Sequence, residues 1–357
     1  MMKTMTVPSA LSEKERLVLD LIVEHYLEGG KPVSSGRVAQ KKRQVGSPAT
    51  VRAIMASLEE RGYLVQPHTS AGRVPTDLGL RAYVNHLFTA SLSRQAGAPA
   101  SVEELDTGRA DFGALLVQAS KILAEESDNL GFVISPHTSR IRFHHLRFIK
   151  VSAEKVMIIL VTPFHMVLTE IVESLAPFTQ LELDRSSQYL NQNFQGKTLI
   201  AVRDILLQEL PKYRAKYEAL INKLLTLVRA SVRDEEGESR IILQGTSRLL
   251  SKAELFDMEK LKTLFESFEE KANLTRLLSD FISLDRVKVL IGSELNAPNI
   301  ADCSLILSHY GTSTQVLGSL GIIGPKRIPY EKIIPLVDSV AQRLSRAIAR
   351  VGNEVPL

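Results

Sequence analysis

Helix starts and stops crowd the amino-terminal stretch of this chain, and they leave little freedom in what it can become. Ser12 followed by Glu15 is a capping box, in which each side chain satisfies a backbone N–H that the helix itself leaves unpaired. Leu17, Val18, Leu21 and Ile22 follow at helical spacing, and Gly29 and Gly30 stop the run. After Pro32, Ser34 can cap a short second helix carrying Arg37, Val38 and Ala39, which fades at Lys41 to Arg43 and turns at Gly46. Ser47 caps a third helix, with Pro48 at its first position, where a missing N–H costs nothing. There Val51, Ile54, Met55 and Leu58 share one face, while Ala49, Thr50, Arg52, Ala53 and Ser57 form another that is small or polar with a single long cation.

Charge is concentrated in the same stretch. The net charge is +4, and residues 1–90 hold 12 Lys and Arg against 8 Asp and Glu, so the remaining 32 cations and 32 anions cancel. Lys31, Arg37, Lys41, Lys42, Arg43 and Arg52 occur between Gly29 and Met55 without one acid. A compact basic stretch in a neutral chain suits a polyanion-facing surface, although a solvated basic face would look the same by charge alone. Two short helices joined by a tight turn, the second exposing small residues at its N-terminus, read as a helix-turn-helix that a major groove about 12 Å wide can admit. Tyr63 to Gln66 and Arg73 to Pro75 read as a strand and its return, forming a wing with a polar, cationic tip from His68 through Thr69, Ser70 and Gly72 to Arg73. Thr76 and Asp77 open a fourth helix. These features together favour DNA binding, with Ala49, Thr50, Arg52 and Ala53 reading base edges. Ser34, Ser35, Arg37, Lys41, Lys42, Arg43, Ser47, His68, Thr69, Ser70 and Arg73 would then hold phosphates.

At 357 residues the chain has room for two or three domains. A single cysteine excludes an internal disulfide framework. The first thirty residues have no apolar signal core, and an aliphatic run such as Val156 to Val161 is far shorter than the roughly 20 residues of a membrane helix. A cytoplasmic placement is therefore expected. Ser91 to Val102 has the composition of a linker. Beyond it, a helix is expected over Phe112 to Ala124, followed by strands at Gly131 to Ser135, Ile141 to Ile149, Lys155 to Val161 and Met166 to Val172. Long helical tracts come next, over Glu182 to Arg233 and Met258 to Phe281. Strands return at Val287 to Ile291, Ser304 to His309 and Val316 to Ile323, before a closing helix from Tyr330 to Val351. Strands split by a helix-rich insertion, with first and last helices free to pack together, describe an α+β sensor-like domain.

Several candidate chemical sites have simpler readings. Gly318, Gly321 and Gly324 recur every third residue, but Gly324 is followed by Pro325 in strand-like sequence, which suits a hairpin or bulged strand better than a phosphate loop. His144 and His145 are neighbours, and in a strand they point to opposite faces and cannot share a metal. Cys303 precedes an apolar run without a basic neighbour, as a core cysteine does. There is no nucleophile elbow, HExxH pair or P-loop, so no enzyme, metal site or cofactor is expected.

The motifs PVSSGRVAQ, SPATVRAIMASLEERGYL and QPHTSAGRVPTDLGLRAYV, the last spanning Gln66 to Val84, resemble the winged-helix domain of the heat-inducible transcription repressors called HrcA. DCSLILSHYGTSTQVLGSLGIIGPKRIPYEKIIPLVDSV, from Asp302 to Val340, resembles that family's closing signature. The resemblance implies an α+β fold in which an N-terminal winged helix-turn-helix (1–90) and a linker (91–103) precede a GAF-like domain. That domain would occupy 104–181 and 285–357, interrupted by a helix-rich dimerising insertion over 182–284. It also implies an inverted-repeat operator upstream of chaperone operons and a chaperonin that keeps the repressor competent. A homodimer is expected on physical grounds as well, because one winged helix makes too few contacts for operator-grade specificity. The alternative is a winged-helix regulator gated by a small molecule in the GAF-like domain; its mark would be a pocket with converging polar groups.

Overall fold

The computed structural model describes residues 11–41, 45–68, 71–91, 102, 105, 112–135, 141–163, 167–174, 177–209, 226, 228, 241–250, 287–295, 300–312 and 316–353. The first helix, α1 (Glu13–Gly29), begins at the capping box, where Glu15 N donates to Ser12 Oγ at 3.3 Å and Ser12 N to Glu15 Oε2 at 2.9 Å. It ends on Gly30, whose φ of 65° is the left-handed value that favours glycine. Val18, Leu19, Leu21, Ile22 and Val23 are its buried side. The second helix, α2 (Ser35–Lys41), buries Val38, and Ser34 Oγ accepts from Arg37 N at 3.4 Å. Helix α3 (Pro48–Glu60) starts where Ser47 Oγ accepts from Thr50 N at 3.3 Å, and it buries Val51, Met55 and Leu58 against α1 and α2.

A short antiparallel hairpin follows, β1 (Leu64–Val65) with β2 (Val74–Pro75), in the register Leu64 to Pro75 and Val65 to Val74. Val33, just before α2, adds a bridge to Arg73 through two backbone bonds of 2.9 Å. Gly72 is required for this approach, since a Cβ there would stand 2.3 Å from the Val33 carbonyl oxygen. Helix α4 (Asp77–Ser91) is capped by Thr76 and packs on α1, where its His86 meets the buried Asp20 at 2.7 Å.

Beyond it the chain builds two separate sheets. The larger is antiparallel and five-stranded, in the order β7 (Ile241–Gln244), β3 (Leu130–Ile134), β10 (Val316–Pro325), β9 (Cys303–Gly311), β8 (Val287–Ile291). Helices α5 (Phe112–Ser127) and α9 (Tyr330–Asn353) pack on it and on each other, as expected for the first and last helices of this region. The central strands β9 and β10 are buried on both faces, which explains their near-continuous apolar sequence. Gly318, Gly321 and Gly324 lie within β10. A bulge falls between Val316 and Gly318, and a Cβ at Gly321 would meet the Ile306 carbonyl oxygen at 2.1 Å. Their spacing therefore serves close strand packing. Cys303 is buried, and that burial pushes its thiol up to about 12, so the thiolate needed for reactivity is suppressed at neutral pH.

The smaller sheet is a three-stranded meander, β4 (His145–Lys150), β5 (Lys155–Val161) and β6 (Val167–Glu173), covered on one face by α6 (Gln180–Phe194). Of the strands in 104–181, only β3 joins the five-stranded sheet. The span 182–284, expected to be helix-rich, contributes α6 and further helices and, between the two expected helical tracts, also the edge strand β7. The long tract from Glu182 is also interrupted: Gly196 takes a φ of 82°, and Thr198 caps a new helix, α7 (Leu199–Glu209), by accepting from Ala201 N at 3.1 Å. The tract's later part, and the expected helix from Met258 to Phe281, lie outside the described residues apart from 226 and 228. A five-residue helix, α8 (Thr246–Leu250), follows β7.

Candidate nucleic-acid interface

The solvent face of α3 is built from its N-terminus. Ser47 fixes the first turn, Pro48 needs no donor there, and Ala49, Thr50, Arg52 and Ala53 follow, all exposed. Ala56, one turn further on, is exposed as well and extends the same slim stripe. Arg52 is its long side chain.

Two carboxylates hold this helix in place. Glu15, besides closing the α1 cap, accepts through Oε1 from Ser57 Oγ at 3.2 Å and from Arg61 Nη1 at 3.1 Å, bracing α3 against the start of α1. Glu59 accepts from Gln66 N at 3.1 Å through Oε1 and from Arg73 Nε at 2.8 Å through Oε2, tying both sides of the hairpin to α3. Neither partnership is visible in the sequence pattern, where Glu59 looks like an ordinary helix-closing acid.

The Glu15 carboxyl is held below its ordinary value of 4.5, first by the Ser12 N–H and hydroxyl and then by Arg61. A carboxylate whose pKa is depressed by folding stabilises above its unfolded value, and it loses that contribution as pH falls through the folded one. Thermal unfolding between about pH 6 and about pH 3 will therefore show the wild type losing its advantage over Glu15→Gln as acid is added. A gap of constant size would contradict the pairing.

The cations expected at phosphates fall into three groups. Arg37 is exposed on α2, next to Ser34 at the cap and the half-buried Ser35. Lys41 is exposed but lies 3.4 Å from Glu24, a surface pair worth little and easily exchanged for a phosphate. Arg73 is half-buried on Glu59, so it anchors the hairpin more firmly than it projects from it. His68 is exposed beyond β1. Lys42, Arg43, Thr69 and Ser70 lie outside the described residues. Among the described residues no group of three or more His, Cys, Asp or Glu comes together to hold a metal ion, and no helix is long and apolar enough to cross a membrane.

Comparisons with known proteins agree on one family. Residues 113–334 match the family described as HrcA protein C terminal domain. A Geobacter sulfurreducens protein named heat-inducible transcription repressor HrcA is 36% identical over 339 residues, covering 95% of this chain and 98% of that protein. A Xylella fastidiosa protein of the same name is 37% identical over 340 residues, covering 95% of this chain and 96% of its own length. A solved structure, described as a hypothetical protein at 2.2 Å resolution, aligns over 96% of this chain and 100% of its own with a TM-score of 0.65 and 26% identity. The match thus spans the helical N-terminal region, both sheets and the closing helix, and the chain belongs to the HrcA family.

Proposed function

We propose that this protein is a heat-inducible transcription repressor that acts as a homodimer on an inverted-repeat operator. In this reading α1 to α3 and the hairpin are a winged helix-turn-helix, and the five-stranded sheet with α5 and α9 is a GAF-like domain. The observation that carries it is the exposed face Ala49, Thr50, Arg52 and Ala53, small enough to enter a major groove and fixed in place through Glu15 and Glu59. Ser34, Ser35, Arg37, Lys41 and Ser47 would flank that face on the phosphates, with Lys42, Arg43, His68, Thr69, Ser70 and Arg73 completing the contacts. The names of the relatives support repression and its release by heat. Chaperone operons as targets, and a chaperonin that maintains competence, complete the proposal on the strength of the motif resemblance.

The dimer has a candidate surface in the smaller sheet. On the face away from α6, Val167 is 57% exposed and Ile171 is 52% exposed. Ile171 lies across from Met157, and Thr169 from Ile159, so the apolar face continues onto β5. Monomers seldom leave such a sheet face to water. This surface lies upstream of the 182–284 span in which the family resemblance implies dimerisation.

The test of DNA binding is its salt dependence. A dimer neutralising roughly six phosphates gives a slope of about −5 in a plot of log affinity against log salt. Fluorescence anisotropy with a duplex selected by the protein from random DNA will read that slope, and a flat line would contradict the phosphate clamp.

A further inference from the structure

Helix α4 does more than close the N-terminal module, because its first turns are bolted to the larger sheet. Arg81 donates from Nε to Glu294 Oε1 at 2.7 Å, from Nη2 to Glu294 Oε2, and from Nη2 again to the Val289 carbonyl oxygen at 2.6 Å. Val289 belongs to β8, an edge strand of that sheet among the described residues, so the guanidinium reaches the sheet at its edge. Glu294 is itself oriented by Ile291 N at 2.9 Å. One turn earlier, Asp77 accepts from Lys326 Nζ at 2.8 Å and from Ser293 N at 3.1 Å.

The surroundings are shaped for this contact. Gly292 has a φ of 54°, and a Cβ there would stand 2.2 Å from Asp77 Oδ2. Lys326 is anchored on its own side, since its N–H reaches the Asp302 carbonyl oxygen at 3.1 Å and its carbonyl accepts from the buried Tyr330 hydroxyl at 2.8 Å. The four charged side chains are 20 to 27% exposed, so water competes with them only in part. Bidentate arginine pairing adds direction as well as attraction. Throughout, the α3 face stays exposed. The contact thus orients the module without covering its recognition surface, which separates it from an inhibitory clasp.

We propose that the Arg81–Glu294 and Asp77–Lys326 interlock fixes the separation and tilt of the two DNA-reading modules in the dimer. These four residues thereby set the half-site spacing that the repressor accepts. The inference rests on the dimeric operator reading above. Adding one base pair between half-sites turns the second site by roughly 35° about the duplex axis. A module held at two charged points cannot follow that rotation. A module connected only through residues 92–111, whose first half is linker-like in composition, can. The four residues are positioning residues, because none of them need touch DNA.

The test uses the full chain and the duplex that the wild-type protein selects from random DNA, with its spacer lengthened or shortened by one to five base pairs. Wild-type affinity should fall about 100-fold or more off the selected spacing, since only one module then engages. Arg81→Ala should flatten that penalty to within about 10-fold while binding the selected spacing nearly as before. Lys326→Ala lies outside the DNA-reading module and should flatten it too, so a folding defect of that module cannot explain both results. Sedimentation checks that both variants remain dimers. An unchanged spacing profile in both variants would overturn the inference, as would tighter binding at every spacing with selectivity intact. A wild type that binds its selected repeat at all spacings equally would overturn the inference but leave the operator reading standing. A wild type that binds no repeat would overturn both.

Discussion

The Ala53→Glu variant will fold and dimerise as the unmodified chain does, yet lose operator affinity by roughly 100-fold or more. Ala53 is exposed on α3, so a longer side chain there projects into water and displaces nothing from the core. Surface substitutions of this kind usually alter stability by about half a kcal/mol or less. On DNA the same side chain would place a carboxylate in a groove lined by phosphates and fill space that the helix needs for close approach. Like-charge contact across an interface costs several kcal/mol, and about 2.7 kcal/mol is already 100-fold. Ala53→Ser, small and neutral, should stay within about 5-fold of wild type, and Arg52→Ala should lose about 1–3 kcal/mol. Anisotropy titrations alongside melting curves separate these outcomes. Full affinity in the Ala53→Glu variant would mean that another face of the module meets the duplex.

The second large effect is expected far from the DNA. If the chain pairs through the smaller sheet as proposed, Ile171→Asp should convert that dimer to monomers, with a loss of about 100-fold or more in self-association, because a twofold interface feels each substitution twice. Ile171 is 52% exposed in the isolated chain, and the opposite face of its sheet is buried under α6, so the subunit itself should remain folded. Operator affinity should then fall by roughly 100-fold to 10,000-fold, the benefit that linking two modules supplies. Analytical ultracentrifugation reads the first effect and anisotropy the second. A persistent dimer would move the self-association surface elsewhere.

How much of this was legible in the sequence depends on how local each signal is. The boundaries of α1 and α3 follow from caps within four residues of each end, at Ser12 with Glu15, Gly30 and Ser47 with Pro48. The strands β5 and β8 are found over the expected residues because their apolar runs are bounded by polar or turn residues. Gly318, Gly321 and Gly324 read correctly as strand residues because Pro325 argues against a helix opening after them. Sheet membership, by contrast, is a matter of pairing across long separations. Nothing local tells β3 to pair with β7 and β10 while β4 to β6 pair only among themselves.

Residues that act through distant partners were hidden for the same reason. Strand β7 is four residues long, at the sheet edge and only half-buried, so neither length nor periodicity marks it. The bond from Arg81 to Glu294 spans 213 positions. Arg73 was recognisable as a cation near the hairpin, but its engagement by Glu59 becomes visible only once the hairpin folds back on α3. The exposed face of α3, in contrast, was readable from helical spacing alone, because burial of Val51, Met55 and Leu58 dictates what the other side shows.

The most direct test of the central claim is methylation protection of guanine N7 atoms in the selected duplex, because those atoms lie on the major-groove floor. The account predicts two protected patches related by a dyad, their centres about one helical turn or a whole multiple of it apart. Both should vanish with the Ala53→Glu variant. Protein bound at saturation with no major-groove protection, or with protection that survives in that variant, would contradict it.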